Sequence, residues 1–251
     1  MVSETERLET ELTAVKAEAP AFTAEREETR FREKAVYNFF KRFFDILLSF
    51  VASIVLLIPM AILALVIVIK DHGSPFYRHD RVGKNGEAIR VYKFRSMKRG
   101  ADQLEKMLTP EQLAEYKKEY KLKDDPRLIG YKKPGDGKTC FGAKLRTLSA
   151  DELPQIFFNI LLKGDMSIVG PRPILKSELE EHYTPEERKL LLSVKPGLTG
   201  YWQAYARNHA EYSNGRRQEM ELYYIRNRSF ALDIKIIFRT VVVVLKKDGA
   251  N

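Results

Sequence analysis

Cysteine is nearly absent from this sequence: Cys140 is the only one in 251 residues. That excludes an intrachain disulfide and a cysteine-based zinc cluster, and it fits a reducing, cytoplasmic compartment. His72, His79, His182 and His209 are scattered without metal spacing. No cleavable secretory signal is expected, because residues 1–36 are dominated by Glu, Lys, Arg, Thr and Ala where an apolar stretch would be needed. Internal repeats are missing, as is a P-loop pattern. Nor is there a basic stripe interleaved with aromatics, so nucleic acid is not an expected partner. Acidic side chains are in the minority, with 34 Asp and Glu against 43 Lys and Arg and a formal net charge of +9. That balance favours anionic partners such as lipid headgroups or phosphorylated substrates.

What the chain does have is one long hydrophobic run. Residues 43–69 hold no Lys or Arg and a single acid, Asp45, and the run is long enough to cross a bilayer. Pro59 lies near its middle, where a proline removes a backbone donor and clashes with the preceding turn. Lys41 and Arg42 precede the run, Lys70 follows it, and the rest of the chain is basic, which places both ends on the cytoplasmic side. A re-entrant helix broken at Pro59 satisfies both facts; a kinked span remains the alternative. Before the run, residues 1–36 read as a charged arm, helical or disordered. Were the arm to pair with a copy of itself, it would make a homodimer. After the run, residues 73–251 read as one catalytic domain.

Within that domain, residues 74–97 carry short runs around the Gly83–Gly86 turn and predict a β-hairpin. Residues 101–122 are helical in composition and end at Asp124-Asp125-Pro126, and 131–142 form a Gly-rich loop. Helices are expected after Pro154 to Leu162, over 185–194 and over 218–226. Residues 233–245 suit an interfacial element, although Val241–Val244 also suits a buried strand. The fold class is therefore α+β, mainly helical with a small hairpin, attached to a membrane.

Three short stretches could carry chemistry. In Arg146-Thr-Leu-Ser-Ala-Asp151-Glu152-Leu-Pro154-Gln155, Ser149 and Glu152 could form a capping box. Pro154 would then be the fifth helical residue, beyond the first turn where proline is tolerated. A helix starting at Asp151 or later suits Pro154 better and sets both carboxylates at the positive helix end, where they stay ionised. An ionised Asp can attack phosphorus, a neighbouring Glu can help hold a divalent metal, and Arg146 can supply a donor fork. Capping and catalysis both remain open here. In Gly170-Pro171-Arg172-Pro173, two prolines fix the backbone around one guanidinium, which suits phosphate; a rigid turn with an exposed Arg is the plainer reading. Lys93 and Arg95, in Lys93-Phe-Arg-Ser-Met97, are either a basic strand edge or the lining of an anionic pocket. Lys195-Pro-Gly-Leu-Thr-Gly200 is a Gly-rich turn. Tyr201, Trp202 and Tyr205 suit core packing, base stacking or an interface.

Taken in order, Lys41-Arg-Phe-Phe-Asp45, Pro59, Lys93-Phe-Arg-Ser-Met97, Asp151-Glu-Leu-Pro-Gln155, Gly164-Asp-Met-Ser-Ile-Val-Gly-Pro-Arg-Pro173 and Lys195-Pro-Gly-Leu-Thr-Gly200 resemble the monotopic phosphoglycosyl transferases of bacterial glycoconjugate assembly, often called bacterial sugar transferases. The resemblance runs from about Tyr37 to Lys247. It implies a catalytic domain on the cytoplasmic face of the bacterial cell membrane, a UDP-sugar and undecaprenyl phosphate as substrates, and a magnesium requirement. It makes Asp151 the nucleophile and Glu152 its partner in metal and proton handling, with Arg146 and Arg172 on phosphates. Three features depart from the pattern: Ile58 stands before Pro59 where the family often has Ser, the 131–143 loop is long, and the charged arm lies outside the match.

Overall fold

The computed structural model describes residues 24–119, 122–206 and 215–246; the charged arm up to residue 23 lies outside them. Its contacts divide the chain into Met1–Phe44 and Asp45–Asn251. Helix α1 covers Ala24–Asp71 and contains Pro59 instead of ending at it. In the first unit, Phe39 and Phe40 meet edge to face, as do Phe43 and Phe44.

In the second unit the hydrophobic part of α1 shows a narrow inner stripe. Asp45, Ser49 and Ile67 are buried and Met60, Leu63 and Ala64 partly so, while Ile54, Val55, Leu57 and Ile58 are among the most exposed side chains. The spacing of three and four residues is that of one helical face. Ile67 packs with Phe94, Ile129 and Leu145 in one core cluster, and the Asp45 carboxylate accepts the Ile168 amide at 3.0 Å.

The hairpin forms as the sequence predicts: β1 (Phe76–Val82) pairs antiparallel with β2 (Ala88–Phe94), with Val82 opposite Ala88 and Phe76 opposite Phe94. Asn85 takes a positive φ of 58° in the connecting turn. The helical stretch after it is two pieces, α2 (Leu104–Met107) and α3 (Pro110–Glu119). The break has a local cause: Thr109 and Gln112 cap one another reciprocally ahead of Pro110, so a new helix starts there. The 131–142 loop is likewise shorter than expected. A 3-10 turn occupies Asp136–Lys138 and α4 (Phe141–Thr147) begins inside the expected loop. The Asp124 carboxylate gathers the loop by accepting the Gly135 and Gly137 amides and the Tyr131 hydroxyl.

Beyond the site segment, β3 (Ser167–Val169) pairs in parallel with β4 (Gly197–Thr199), a pairing too short for its sequence pattern to announce. A parallel pair needs a crossover, supplied by α5 (Lys176–His182) and α6 (Pro185–Leu191). Three further helices follow: α7 (Tyr201–Tyr205), α8 (Arg216–Asn227) and α9 (Phe230–Lys246). Residues 241–244 are therefore helical and not a strand. α9 buries Ile236 and Asp233 and exposes Ile234, Phe238, Val241 and Val242. It is tied inward where the Tyr224 hydroxyl donates to Asp233 at 2.8 Å and where Thr240 meets Thr199 at 2.7 Å.

Candidate active site

Asp151 and Glu152 lie on a 3-10 turn, Ala150–Glu152, that follows α4 directly. Ser149 turns the chain with a φ of 51° and makes no side-chain cap hydrogen bond, so the capping box does not form. Pro154 opens the helix that follows, as the register starting at Asp151 or later requires, with the two acids in the tight turn ahead of it. The tight turn closes with the Leu153 amide on Ala150, the next donor is Ile156 on Leu153, and the ladder thus skips the proline. From Ile156 to Lys163 the backbone widens into a π-helix ended by Gly164 at a φ of 68°. Such wide turns cost hydrogen-bond quality and concentrate at functional sites. Ala150 and Leu153, on either side of the acids, pack into the cluster of Ile67, Phe94, Ile129 and Leu145. Asp151 is thereby held 7% exposed.

Lys93 comes to the acids from β2. Its ammonium is 2.5 Å from Glu152 Oε1 and 3.9 Å from Asp151 Oδ2. Asn159 fixes this approach. Fully buried in the π-helix, it accepts the Tyr92 amide at 3.0 Å and donates to the Arg90 carbonyl at 2.8 Å and to Asp165 at 3.0 Å. It therefore stands in for a strand partner on the free edge of β2. Burial pushes the Asp165 carboxyl up, with Asn159 and Lys163 opposing.

Arg172 comes from the loop after β3. Gly170 and Gly197 meet there so closely that a Cβ on Gly197 would lie 2.1 Å from the Gly170 nitrogen, and only glycine permits that approach. The loop is held by Glu221 of α8, whose two carboxylate oxygens each lie 3.2 Å from the Arg172 amide. Burial pushes the Glu221 carboxyl up to about 7, while Arg217, the Arg172 amide bond and the Arg172 charge pull it down. The guanidinium of Arg172 lies 3.9 Å from Glu178 and 6.0 Å from the Trp202 ring, against which Arg217 stacks at 4.0 Å.

Lys93, Glu152 and Arg172 line one cleft, together with Arg81, Gln155 and Gln203 among others. Asp151 does not line it but adjoins it through Glu152 and through Lys93, 3.9 Å from its Oδ2. Two sequence candidates do not join it. Arg95 is bound to Asp71 at the end of α1 and to the Ser74 carbonyl, and Arg146 donates to Ser96 Oγ at 3.2 Å; neither lines the cleft. Sequence reading missed Arg81, Asn159 and Glu221. Each had a signal: Asn159 is the one polar residue between Ile156 and Leu162, Glu221 is one helical turn from Arg217, and Arg81 shares a strand face with Lys93.

The acid pair suits one kind of metal. Magnesium keeps much of its water and takes one or two carboxylates with substrate phosphates, not a full protein cage. Asp151 and Glu152 are the adjacent carboxylates that could take such an ion here, with the Lys93 ammonium already on Glu152 Oε1.

The family model described as bacterial sugar transferase matches residues 36–247. The undecaprenyl-phosphate galactose phosphotransferase of Salmonella typhimurium is 40% identical over 216 residues, 85% of this chain and 42% of that protein. The exopolysaccharide production protein ExoY of Sinorhizobium fredii is 38% identical over 84% of this chain and 87% of its own length. An Aeromonas hydrophila UDP-N-acetylgalactosamine-undecaprenyl-phosphate N-acetylgalactosaminephosphotransferase is 32% identical over 86% of this chain and 46% of its own. The chain thus spans less than half the length of two of these relatives and most of the third.

Proposed function

The chain belongs to the bacterial sugar transferases, and on that premise we propose that it moves a sugar 1-phosphate from a UDP-sugar to undecaprenyl phosphate, releasing UMP, as a membrane step of exopolysaccharide or capsule synthesis. One observation carries the reading: the buried Asp151 beside Glu152, with Lys93 at 3.9 and 2.5 Å, at the edge of a cleft that Arg172 also lines. Two anionic substrates can meet at a carboxylate only where cations neutralise them.

In the first half-reaction an Asp151 carboxylate oxygen bonds to the sugar-bearing phosphorus. The bond from that phosphorus to the bridging oxygen breaks, and UMP departs with the electron pair. The product on the enzyme is a phosphosugar-aspartate. A phosphate oxygen of undecaprenyl phosphate then attacks the same phosphorus, Asp151 leaves as carboxylate, and undecaprenyl diphosphate sugar forms. Lys93 steadies the acids and meets the reacting phosphate, and Arg172 meets the second phosphate. Magnesium, held by Asp151 and Glu152, would neutralise charge on the phosphate oxygens.

The anchor in this reading is re-entrant, with both ends on the cytoplasmic face. Asp45 and Ile67 are 22 residues apart, which along a straight helix is about 33 Å, yet both are bound to the same body. Asp45 reaches Ile168, which packs against the cluster of Ile89, Val91, Ile160 and Met166, and Ile67 belongs to the cluster that holds Phe94 of β2, the strand of Ile89 and Val91. A bend at Pro59 reconciles these contacts, and the exposed side chains from Ile54 to Ile58 then form its lipid-facing apex. The exposed apolar face of α9 lies in the interface.

UMP release from a panel of UDP-sugars, with magnesium and undecaprenyl phosphate, tests the reading. Asp151→Asn should lower it at least about 10³-fold while the protein still floats with liposomes. An Asp151→Asn variant of full activity would remove Asp151 as nucleophile. Folded wild-type protein that released no UMP from any donor would leave a membrane-tethered anion binder.

A further inference from the structure

The cleft has two charged ends, with Asp151 and Glu152 beside Lys93 at one and Glu178 3.9 Å from Arg172 at the other. Across the hairpin, Tyr77 pairs with Lys93, His79 with Val91 and Arg81 with Ile89, so Arg81 and Lys93 share one face. Four residues of strand separate them, about 13 Å along the hairpin, with Val91 between them on the cleft floor. Lys93 marks the Asp151 and Glu152 end. Arg81 marks the other, beside Arg172, because the next residue, Val82, donates its amide to the Ile174 carbonyl at 2.9 Å. Three cations, Arg81, Lys93 and Arg172, and one carboxylate, Glu152, line the cleft. The resulting positive field is felt by His79 on the same strand face. Burial first, then Arg81 and Lys93, lower its pKa against the opposing Asp80 and Glu178.

We propose that Arg81 is the clamp for the nucleotide-side phosphate of the donor. The diphosphate then lies along the hairpin, its sugar-bearing phosphorus at the Lys93 end and its leaving phosphate between Arg81 and Arg172. This rests on the transfer reaction proposed above and gives it a direction. When the bridging bond breaks, the leaving phosphate gains one negative charge, so a guanidinium fork there stabilises the transition state more than the bound donor. The uridine then extends toward the side of the cleft where Trp202 stacks with Arg217.

The test uses the full chain in detergent, with Arg81→Gln and Arg81→Lys. Three quantities are read: UMP binding by calorimetry, exchange of labelled UMP into UDP-galactose or UDP-N-acetylgalactosamine without lipid, and the KM for undecaprenyl phosphate. Arg81→Gln should weaken UMP about tenfold or more and slow exchange about 10²-fold, leaving the lipid KM within about twofold. Arg81→Lys, which keeps charge but loses the fork, should fall between. Both variants binding and exchanging UMP like wild type would overturn the proposal, as would a raised lipid KM with unchanged UMP affinity. If wild-type protein binds UMP yet releases none from any UDP-sugar, the transfer reaction fails, and the calorimetric comparison alone then decides for or against Arg81.

Discussion

Glu221 is 2% exposed and spends its charge on the backbone of a loop. Its carboxyl in the fold, pushed up to about 7 from an ordinary 4.5, binds a proton that the unfolded chain releases earlier. The stability from that proton is complete below 4.5 and is lost as the pH rises through 7. Glu221→Gln keeps a neutral group of the same shape, so denaturant melts of that variant should lose this slope between pH 4.5 and 7. An unchanged slope would place the titration elsewhere. Asp151, Glu152, Lys93 and Arg172 were legible because their motifs are local. Glu221 was not, since its importance comes from Arg172, 49 positions away. Arg95 and Arg146 show the converse: basic residues in the right motifs that line no part of the cleft, Arg95 bound to Asp71 and Arg146 donating its Nε–H to Ser96.

Among elements, the π-helix and the hairpin work as one part, joined at Asn159. Asn159→Leu would leave the Tyr92 amide and Asp165 without that partner, an expected loss of about 2–3 kcal/mol. It would also free Lys93, the residue after Tyr92. A lowered melting midpoint together with reduced UMP release is the expected result; an unaltered midpoint would show that Asn159 is no brace. The hairpin was legible through its turn residues and alternation, and α8 through its length. The parallel pair of β3 and β4 was not, because three-residue strands carry no period and their pairing depends on Gly170 meeting Gly197. The π-helix was read as an ordinary helix because five- and four-residue hydrogen-bond spacings bury similar apolar patterns.

At the scale of the whole molecule, composition alone gave the hydrophobic run, but its path depends on what each end touches. For the re-entrant path, Asn38→Cys in a Cys140→Ser background should react with an impermeant maleimide from the cytoplasmic side in inside-out vesicles. Adding Pro59→Leu should move part of that labelling to the opposite side. Labelling from the outer side alone with Pro59 intact would establish a span.

The hydrophobic segment is fastened at both ends by polar contacts, Asp45 on the Ile168 amide and Asp71 on Arg95. Ile168 lies four residues before Arg172, and Arg95 two after Lys93. The fasteners thus lie near in sequence to Lys93 and Arg172, the two cations proposed above to meet phosphate. On the re-entrant path proposed above they would act as a depth gauge, setting the height of the cleft above the lipid plane independently of headgroup type. A carrier phosphate, whose own depth is fixed by its tail, would then meet the cleft at a constant level.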